Sequence, residues 1–351
     1  MKKFINNVDN ILDESLAGFA LAHSDLVTLH TNPNFLTRAN ILHGKAQNKV
    51  AIISGGGSGH EPLHAGYIGY GMLDAACPGH VFTSPTPDQM LAAAQMVHAN
   101  KGILFIVKNY AGDVMNFEMA TEMMTFQHAT VLVSDDCAVI NSTYTTGRRG
   151  VAGTVIVEKC VGSLAETGAD LLACKALGDK VNARTASIGA ALTSCTVPAA
   201  GRPTFDISDT EIEMGVGIHG EPGRKKMPLR EVDEIVSEMV DAILADFTHK
   251  GLLENNAARL IHSNTGLQAN SNALLLINGF GATPLMELYI MYNTAAKLFS
   301  QHGIKIARSL VGNYTTALDM AAASITLCLL DDEIKQHWDS PVHTPALRWG
   351  M

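Results

Sequence analysis

Three places along the chain bring together residue types that can do chemistry. Ser54-Gly55-Gly56-Gly57-Ser58-Gly59-His60-Glu61-Pro62-Leu63-His64 is a glycine run that ends in two histidines and a glutamate. Lys108-Asn109-Tyr110-Ala111-Gly112-Asp113 sets an ammonium and a carboxylate five positions apart, one able to bind a polar ligand and the other to accept its proton. Gly217-Ile218-His219-Gly220-Glu221-Pro222-Gly223 frees a histidine from crowding among glycines, and a neutral imidazole can add to an electrophilic carbonyl.

The first segment suggests two familiar motifs and fits neither. A phosphate loop of the G-x-x-x-x-G-K-[S/T] type needs a lysine and a hydroxyl where this run continues into His60-Glu61-Pro62. The dinucleotide pattern G-x-G-x-x-G also fails: its third glycine is His60 counted from Gly55, and Pro62 counted from Gly57. No other Walker-like segment occurs, so no nucleotide site is expected on this chain. The H-E-x-x-H reading needs one helix to present both histidines to zinc, and Pro62 disturbs that helix at its start. Tyr67 stands where the longer zinc-protease pattern requires glycine. No metal site is expected. The segment alone leaves two readings open, a loop whose backbone approaches a small ligand and a tight structural turn with His60 as a packing residue. His64 fits either a supporting place beside His60 or a place in the core.

The elements around these segments give them a common location. Lys49–Ser54, Ile103–Lys108 and Thr130–Ser134 read as buried strands, and Asp88–Ala99, Val114–Met124 and Gly150–Thr167 as helices. That alternation predicts an α/β fold whose first domain has a mostly parallel sheet with helices on both faces. Cys195–Phe205, with two prolines and a glycine, breaks the pattern. Beyond it, Glu213–Ile218, Ala273–Ile277, Ile304–Leu310 and Ser324–Leu329 read as strands, and Leu229–Phe247 and Pro284–His302 as helices. Two α/β domains are therefore expected, residues 1–190 carrying the glycine-rich loop and residues 191–351 carrying His219. The polar stretch Asn255–Asn272 is expected to be a surface loop.

All three chemical segments then follow the C-terminal ends of strands, the edge at which open α/β sheets bind ligands. Taken singly, each has a plainer explanation. Asp113 could cap the helix that follows it, Lys108 could be a solvated strand end, and His219 could be a turn residue bonded to backbone. Together they place a base, a carboxylate, an ammonium and a nucleophile at one edge.

Composition sets the outer limits. Of 351 residues 47% are hydrophobic and 17% charged, and the net charge of −9 offers no basic face for a nucleic acid. Arg224-Lys225-Lys226, the densest positive cluster, reads as a solvated loop. Six cysteines without a C-x-x-C pair suit reduced thiols. Asp9, Asp13 and Glu14 interrupt what a leader peptide would need, and no stretch is long and apolar enough for a membrane span, so a cytoplasmic, soluble protein is expected.

The blocks SGGGSGHEPLHAGYIG, FTSPTPDQ, KNYAGDVMNFE, TTGRRGVAGT, EMGVGIHGEPG and GATPLMELY together resemble the dihydroxyacetone kinases, specifically their substrate-binding part, over essentially the whole chain. The resemblance implies that His219 adds through a ring nitrogen to the carbonyl carbon of dihydroxyacetone, forming a hemiaminal. It also implies that Gly57 and Lys108 contact the triose, that His60 and Asp113 hydrogen-bond its hydroxyls, and that Asp113 is the base. ATP-dependent members fuse a nucleotide-binding domain after the substrate part, and this sequence closes at residue 351. The bacterial phosphotransferase-fed type is therefore implied. In that type a separate nucleotide-binding subunit holds ADP/ATP with magnesium, a phosphocarrier subunit recharges it, and the substrate subunit is a homodimer. A rival within the same resemblance is a non-catalytic paralogue that senses dihydroxyacetone and co-activates transcription. The short connection Thr125–Ala129 and the 255–272 segment depart from the family pattern.

Overall fold

The computed structural model describes residues 2–39, 48–98, 100–139, 147–221, 223–253 and 271–351. Helix α1 (Ile11–Ala22) leads into a short antiparallel pair, β1 (Val27–His30) and β2 (Phe35–Arg38). Then come β3 (Ala51–Ser58), β4 (Ala75–Val81), α2 (Pro87–Val97), β5 (Ile103–Lys108), α3 (Ala111–Glu122) and β6 (His128–Val133). These strands form a sheet in the order β1-β2-β4-β3-β5-β6, in which β4, β3, β5 and β6 run parallel. Every residue of β3 and β5 is buried, as expected when a parallel sheet is covered on both faces.

The cover is visible in how the strand residues alternate. Ile52, Leu104 and Ile106 face a core shared with α4 (Gly153–Glu166) and α5 (Leu171–Ala183), while Ile53, Phe105 and Val107 face α2 and α3. Helix α4 is apolar almost all round and is buried along nearly its whole length. It can be so because a second sheet covers its other side.

That second sheet contains β7 (Thr185–Ala191), β8 (Glu211–Met214) and β9 (Lys225–Pro228). After α6 (Val232–His249) it takes in β10 (Ser271–Gly279), after α7 (Leu285–Gln301) β11 (Ile304–Gly312), and finally β12 (Ala322–Leu330). Its order is β11-β10-β12-β7-β8-β9, and β10–β11 is its parallel pair among the described residues. Leu274, Leu276 and Cys328 face the α4 core, whereas Leu275, Ile277 and Leu327 face α6 and α7. Helix α8 (Asp332–Asp339) adds Ile334 and Trp338 to the α4 side, and β13 (Val342–His343) with β14 (Arg348–Trp349) closes the chain. The expected division near residue 190 falls on the last residues of β7, a strand of the second sheet, and the α4 layer packs on both sheets.

Two local expectations need correction, and a third is overturned only at its last two residues. The strand expected at 213–218 ends at Met214, because Gly215 turns into the left-handed region at φ +83°. Lys225 and Lys226 of the basic cluster open the edge strand β9 rather than a loop. Most of the segment expected as a loop, residues 255–270, lies outside the described residues, and Ser271 and Asn272 already belong to β10. All six cysteines are free thiols, and all but Cys137 are fully buried. No helix among the described residues is long and apolar enough to cross a membrane.

Candidate active site

The glycines of β3 are demanded by close packing. A Cβ on Gly57 would lie 2.6 Å from the Thr83 nitrogen and 2.8 Å from Phe82 Cα, and one on Gly56 would collide with Lys108 Nζ. The strand therefore runs against both the turn after β4 and the Lys108 side chain. Past its end, Gly59 adopts φ +101°, and the chain is clamped by the loop after β11. There Leu318 N donates to Gly59 O at 2.9 Å and Thr316 N to His60 O at 3.2 Å.

His60 is almost wholly buried. Its Nδ1–H donates to the Thr316 carbonyl at 2.7 Å, which leaves the lone pair on Nε2, and that atom has no hydrogen-bond partner. Burial, then the neighbouring His219 and Lys108, hold its pKa well below the usual histidine range, so the ring is a neutral acceptor awaiting a donor. Phe82 stacks on it at 4.9 Å.

His219 arrives from the second sheet, on the turn that follows β8. Its ring meets His60 edge to face at 4.7 Å, Phe82 at 5.3 Å and Tyr110 at 4.5 Å. Glu221 folds back beneath it, accepting the His219 backbone N–H at 3.0 Å and Nδ1–H at 3.1 Å. Burial alone would raise the Glu221 carboxyl, but His219, its hydrogen bond and Arg149 outweigh that and hold it at about 2. A permanent carboxylate on Nδ1 leaves the His219 lone pair on Nε2, the tautomer a nucleophile needs. Arg149, itself buried, fixes the base of this turn through Asp136 at 2.6 Å and the Gly215 carbonyl at 2.7 Å.

Lys108 and Asp113 come from the first sheet. Lys108, the last residue of β5, is fully buried rather than a solvated strand end. Its Nζ donates to His64 Nε2 at 3.0 Å and Gly55 O at 3.4 Å, and lies 3.4 Å from Asp113 Oδ2. Asp113 does not cap its helix. Tyr110 holds the N-cap position, and Asp113 sits buried in the first turn of α3 with its carboxylate toward Lys108. Lys108 is linked electrostatically to the histidines and Asp113 to Tyr110. His60 feels both Lys108 and His219, and the buried Tyr110 hydroxyl, pushed up by burial, feels Glu221 and Asp113.

The sequence-predicted residues Gly57, His60, Lys108, Asp113 and His219 thus converge from two sheets. The zinc geometry is not formed. His60 and His64 spend ring nitrogens on Thr316 and Lys108, and residues 61–64 form turns before a short 3-10 helix. No cluster of His, Cys, Asp or Glu among the described residues could hold a metal ion. Residues not singled out from sequence also enter the site: Glu221, Tyr110, Phe82, Thr316 and, behind Lys108, Glu158. Only Glu221 carried a visible signal, its place two residues after His219 among glycines. Beside the glycine-rich end of β3 lies an apolar cavity of about 590 Å3 that touches Gly57 and His64 but not His219, Lys108 or Asp113.

Comparison with known proteins identifies the family. The Dak1 domain family matches residues 17–346. The chain is 50% identical to the PEP-dependent dihydroxyacetone kinase, dihydroxyacetone-binding subunit DhaK, of Escherichia coli (strain K12), covering 100% of both chains. It is 43% identical to the corresponding PTS-dependent subunit of Lactococcus lactis subsp. lactis (strain IL1403), covering 99% of each. Among solved structures it matches the dihydroxyacetone kinase of C. freundii in complex with AMP-PNP and Mg2+ with a TM-score of 0.83 and 32% identity, covering 98% of this chain and 60% of that one. It matches the dihydroxyacetone kinase operon co-activator Dha-DhaQ with a TM-score of 0.82 and 30% identity, covering 95% and 96%. On the family match and the full-length kinship together, the chain belongs to the Dak1 family of dihydroxyacetone kinases.

Proposed function

We propose that this chain is the dihydroxyacetone-binding subunit of a phosphoenolpyruvate-dependent dihydroxyacetone kinase, and that His219 captures the ketone covalently. The observation that carries this reading is the Glu221–His219 pair, which keeps the proton on Nδ1 and frees Nε2 beside the unpartnered Nε2 of His60. The His219 Nε2 lone pair adds to the carbonyl carbon while the C–O π pair moves onto oxygen. The oxygen takes up one proton from water and the ring returns its Nδ1 proton to water, Glu221 staying ionised, so the hemiaminal retains the whole triose. Glycerol offers similar hydroxyls but no carbonyl, so it is not trapped.

The remaining groups hold the hydroxyls. His60 Nε2 accepts one of them, Lys108 and the backbone at Gly57 contact the bound triose, and Asp113 takes the proton of the attacking hydroxyl. That oxygen bonds to the terminal phosphorus of a nucleotide, whose bridging P–O bond breaks. The hemiaminal then gives up its hydroxyl proton, re-forms C=O and breaks its bond to His219 Nε2, releasing dihydroxyacetone phosphate. The nucleotide and its magnesium belong to a separate nucleotide-binding subunit recharged by a phosphocarrier subunit. Exposed Met115 and Met119 on α3, whose first turn carries Asp113, and Met123 at its C-terminal cap suit a docking face for that subunit. Exposed Leu285, Met286, Tyr289 and Ile290 on α7 suit a second copy in a homodimer. A cytoplasmic location accords with the free thiols.

The kinship with the co-activator supports a second reading, in which the chain only senses dihydroxyacetone. The Lys108–Asp113 pair and the higher identity to the kinase subunit favour catalysis. Assay of wild type and Asp113→Asn with the nucleotide-binding subunit separates the two. Turnover lost about 100-fold or more in the variant, with its adduct retained, supports the kinase. A wild type that forms the adduct but never turns over contradicts it.

A further inference from the structure

Behind Lys108 lies a row of buried polar groups that substrate capture does not use. His64 Nε2 faces Lys108 Nζ at 3.0 Å, and His64 Nδ1 lies 2.6 Å from Glu158 Oε1 and 2.9 Å from Ser54 Oγ. The Ser54 hydroxyl donates to the Ile106 carbonyl at 2.7 Å, so its oxygen can only accept from His64. That fixes the tautomer: Nδ1 carries the proton and Nε2 accepts from the Lys108 ammonium. Glu158, from the middle of α4, therefore accepts at Oε1, while its Oε2 has no partner. A carboxyl in the wall between two sheets is costly to bury and would be replaced by leucine if it only filled space.

We propose that Ser54, His64 and Glu158 form a buried relay that fixes the direction of the Lys108 ammonium, making His64 and Glu158 positioning residues for phosphoryl transfer. The inference rests on the kinase reading above. The ammonium is shared among His64 Nε2, Gly55 O and Asp113, and the two longer contacts leave it free to turn. With His64 holding one N–H, the other two stay aimed at the substrate loop and at the base. Without it, Lys108 collapses onto Asp113 and blunts the carboxylate.

The relay also carries a titration. Burial pushes the Glu158 carboxyl up to about 8, so near neutral pH it holds its proton on Oε2. The charged or titratable groups facing it are His64, Lys108 and Tyr67, whose hydroxyl donates to the Tyr314 carbonyl. Ionisation of Glu158 makes the His64 Nε2 a stronger acceptor, which draws the ammonium toward the relay and away from Asp113 and the substrate. Turnover therefore falls as pH rises through about 8.

The test uses Glu158→Leu and Glu158→Gln, each assayed with the nucleotide-binding subunit beside wild type. Glu158→Leu should form the triose adduct and melt no lower than wild type, yet lose about 10–100-fold in kcat, as supporting hydrogen bonds typically do. Glu158→Gln keeps the acceptor for His64 and should stay within about threefold of wild type at pH 7, with the alkaline fall in kcat abolished. A Glu158→Leu chain that turns over like wild type overturns the relay. If that variant fails to fold, the Glu158→Gln profile decides, since an unchanged alkaline limb also overturns it. A wild type that forms no adduct refutes the kinase reading instead, so the two failures are distinct.

Discussion

His60 and His219 meet edge to face with ring centroids 4.7 Å apart, although one follows a strand of the first sheet and the other a strand of the second. Each ring is fixed on its Nδ1 side by a different acceptor, the Thr316 carbonyl for His60 and the Glu221 carboxylate for His219. Both therefore keep a lone pair on Nε2. One is proposed to bond the substrate hydroxyl and the other its carbonyl carbon.

If Glu221 sets the nucleophile's tautomer, Glu221→Ala should slow capture more than it weakens folding. We expect adduct formation about 10–100-fold slower at pH 7, by analogy with lost supporting hydrogen bonds elsewhere. Time-resolved intact-mass measurement checks this. Glu221→Gln, which keeps an acceptor for Nδ1–H, should recover much of the loss.

Gly57→Ala should fail for a steric reason. The added methyl would sit 2.6 Å from the Thr83 nitrogen and 2.8 Å from Phe82 Cα, both backbone atoms that cannot swing aside. A loss of about 1–3 kcal/mol in urea unfolding is expected. Weaker triose capture should accompany it, since Phe82 stacks on His60.

The depressed His60 pKa gives a signed pH dependence of stability. The folded ring stays neutral where the unfolded one protonates, so its contribution is intact above about 6.5 and is lost as pH falls below that value. The slope it adds approaches roughly 1.4 kcal/mol per pH unit for one proton. Urea midpoints at pH 7.5 and 5.5 should diverge less in His60→Asn than in wild type, and equal divergence contradicts the assignment.

Much of the first sheet is legible in sequence because its central strands hold apolar runs, Ala51–Ile53 and Ile103–Val107 among them. The continuation of β3 through Gly55–Ser58 is not, because glycines there read as a loop. Strand β7, TASIGAA, escapes because small residues give neither alternation nor β-branched bulk, and β4 because Pro78 and Gly79 interrupt it. Helices α1 and α5 are also missed, their apolar stripes being too short to stand out from their surroundings. The strand read through Met214 to Ile218 shows the opposite error, since apolar pattern alone does not reveal that Gly215 turns left-handed.

For the site, strand ends locate His60, Lys108, Asp113 and His219, because chemistry at sheet edges follows from the α/β pattern. What they touch is set by long-range packing. Thr316 is 256 positions from His60, and Glu158 is 94 from His64. A glutamate inside an apolar helix resembles a surface residue until the second sheet covers it.

The central claim is covalent capture at His219, and intact mass after incubation with dihydroxyacetone tests it most directly. Wild type should gain one whole triose and His219→Ala none, while incubation with glycerol should add nothing to either. An unmodified wild type, or an adduct that persists in His219→Ala, would contradict it.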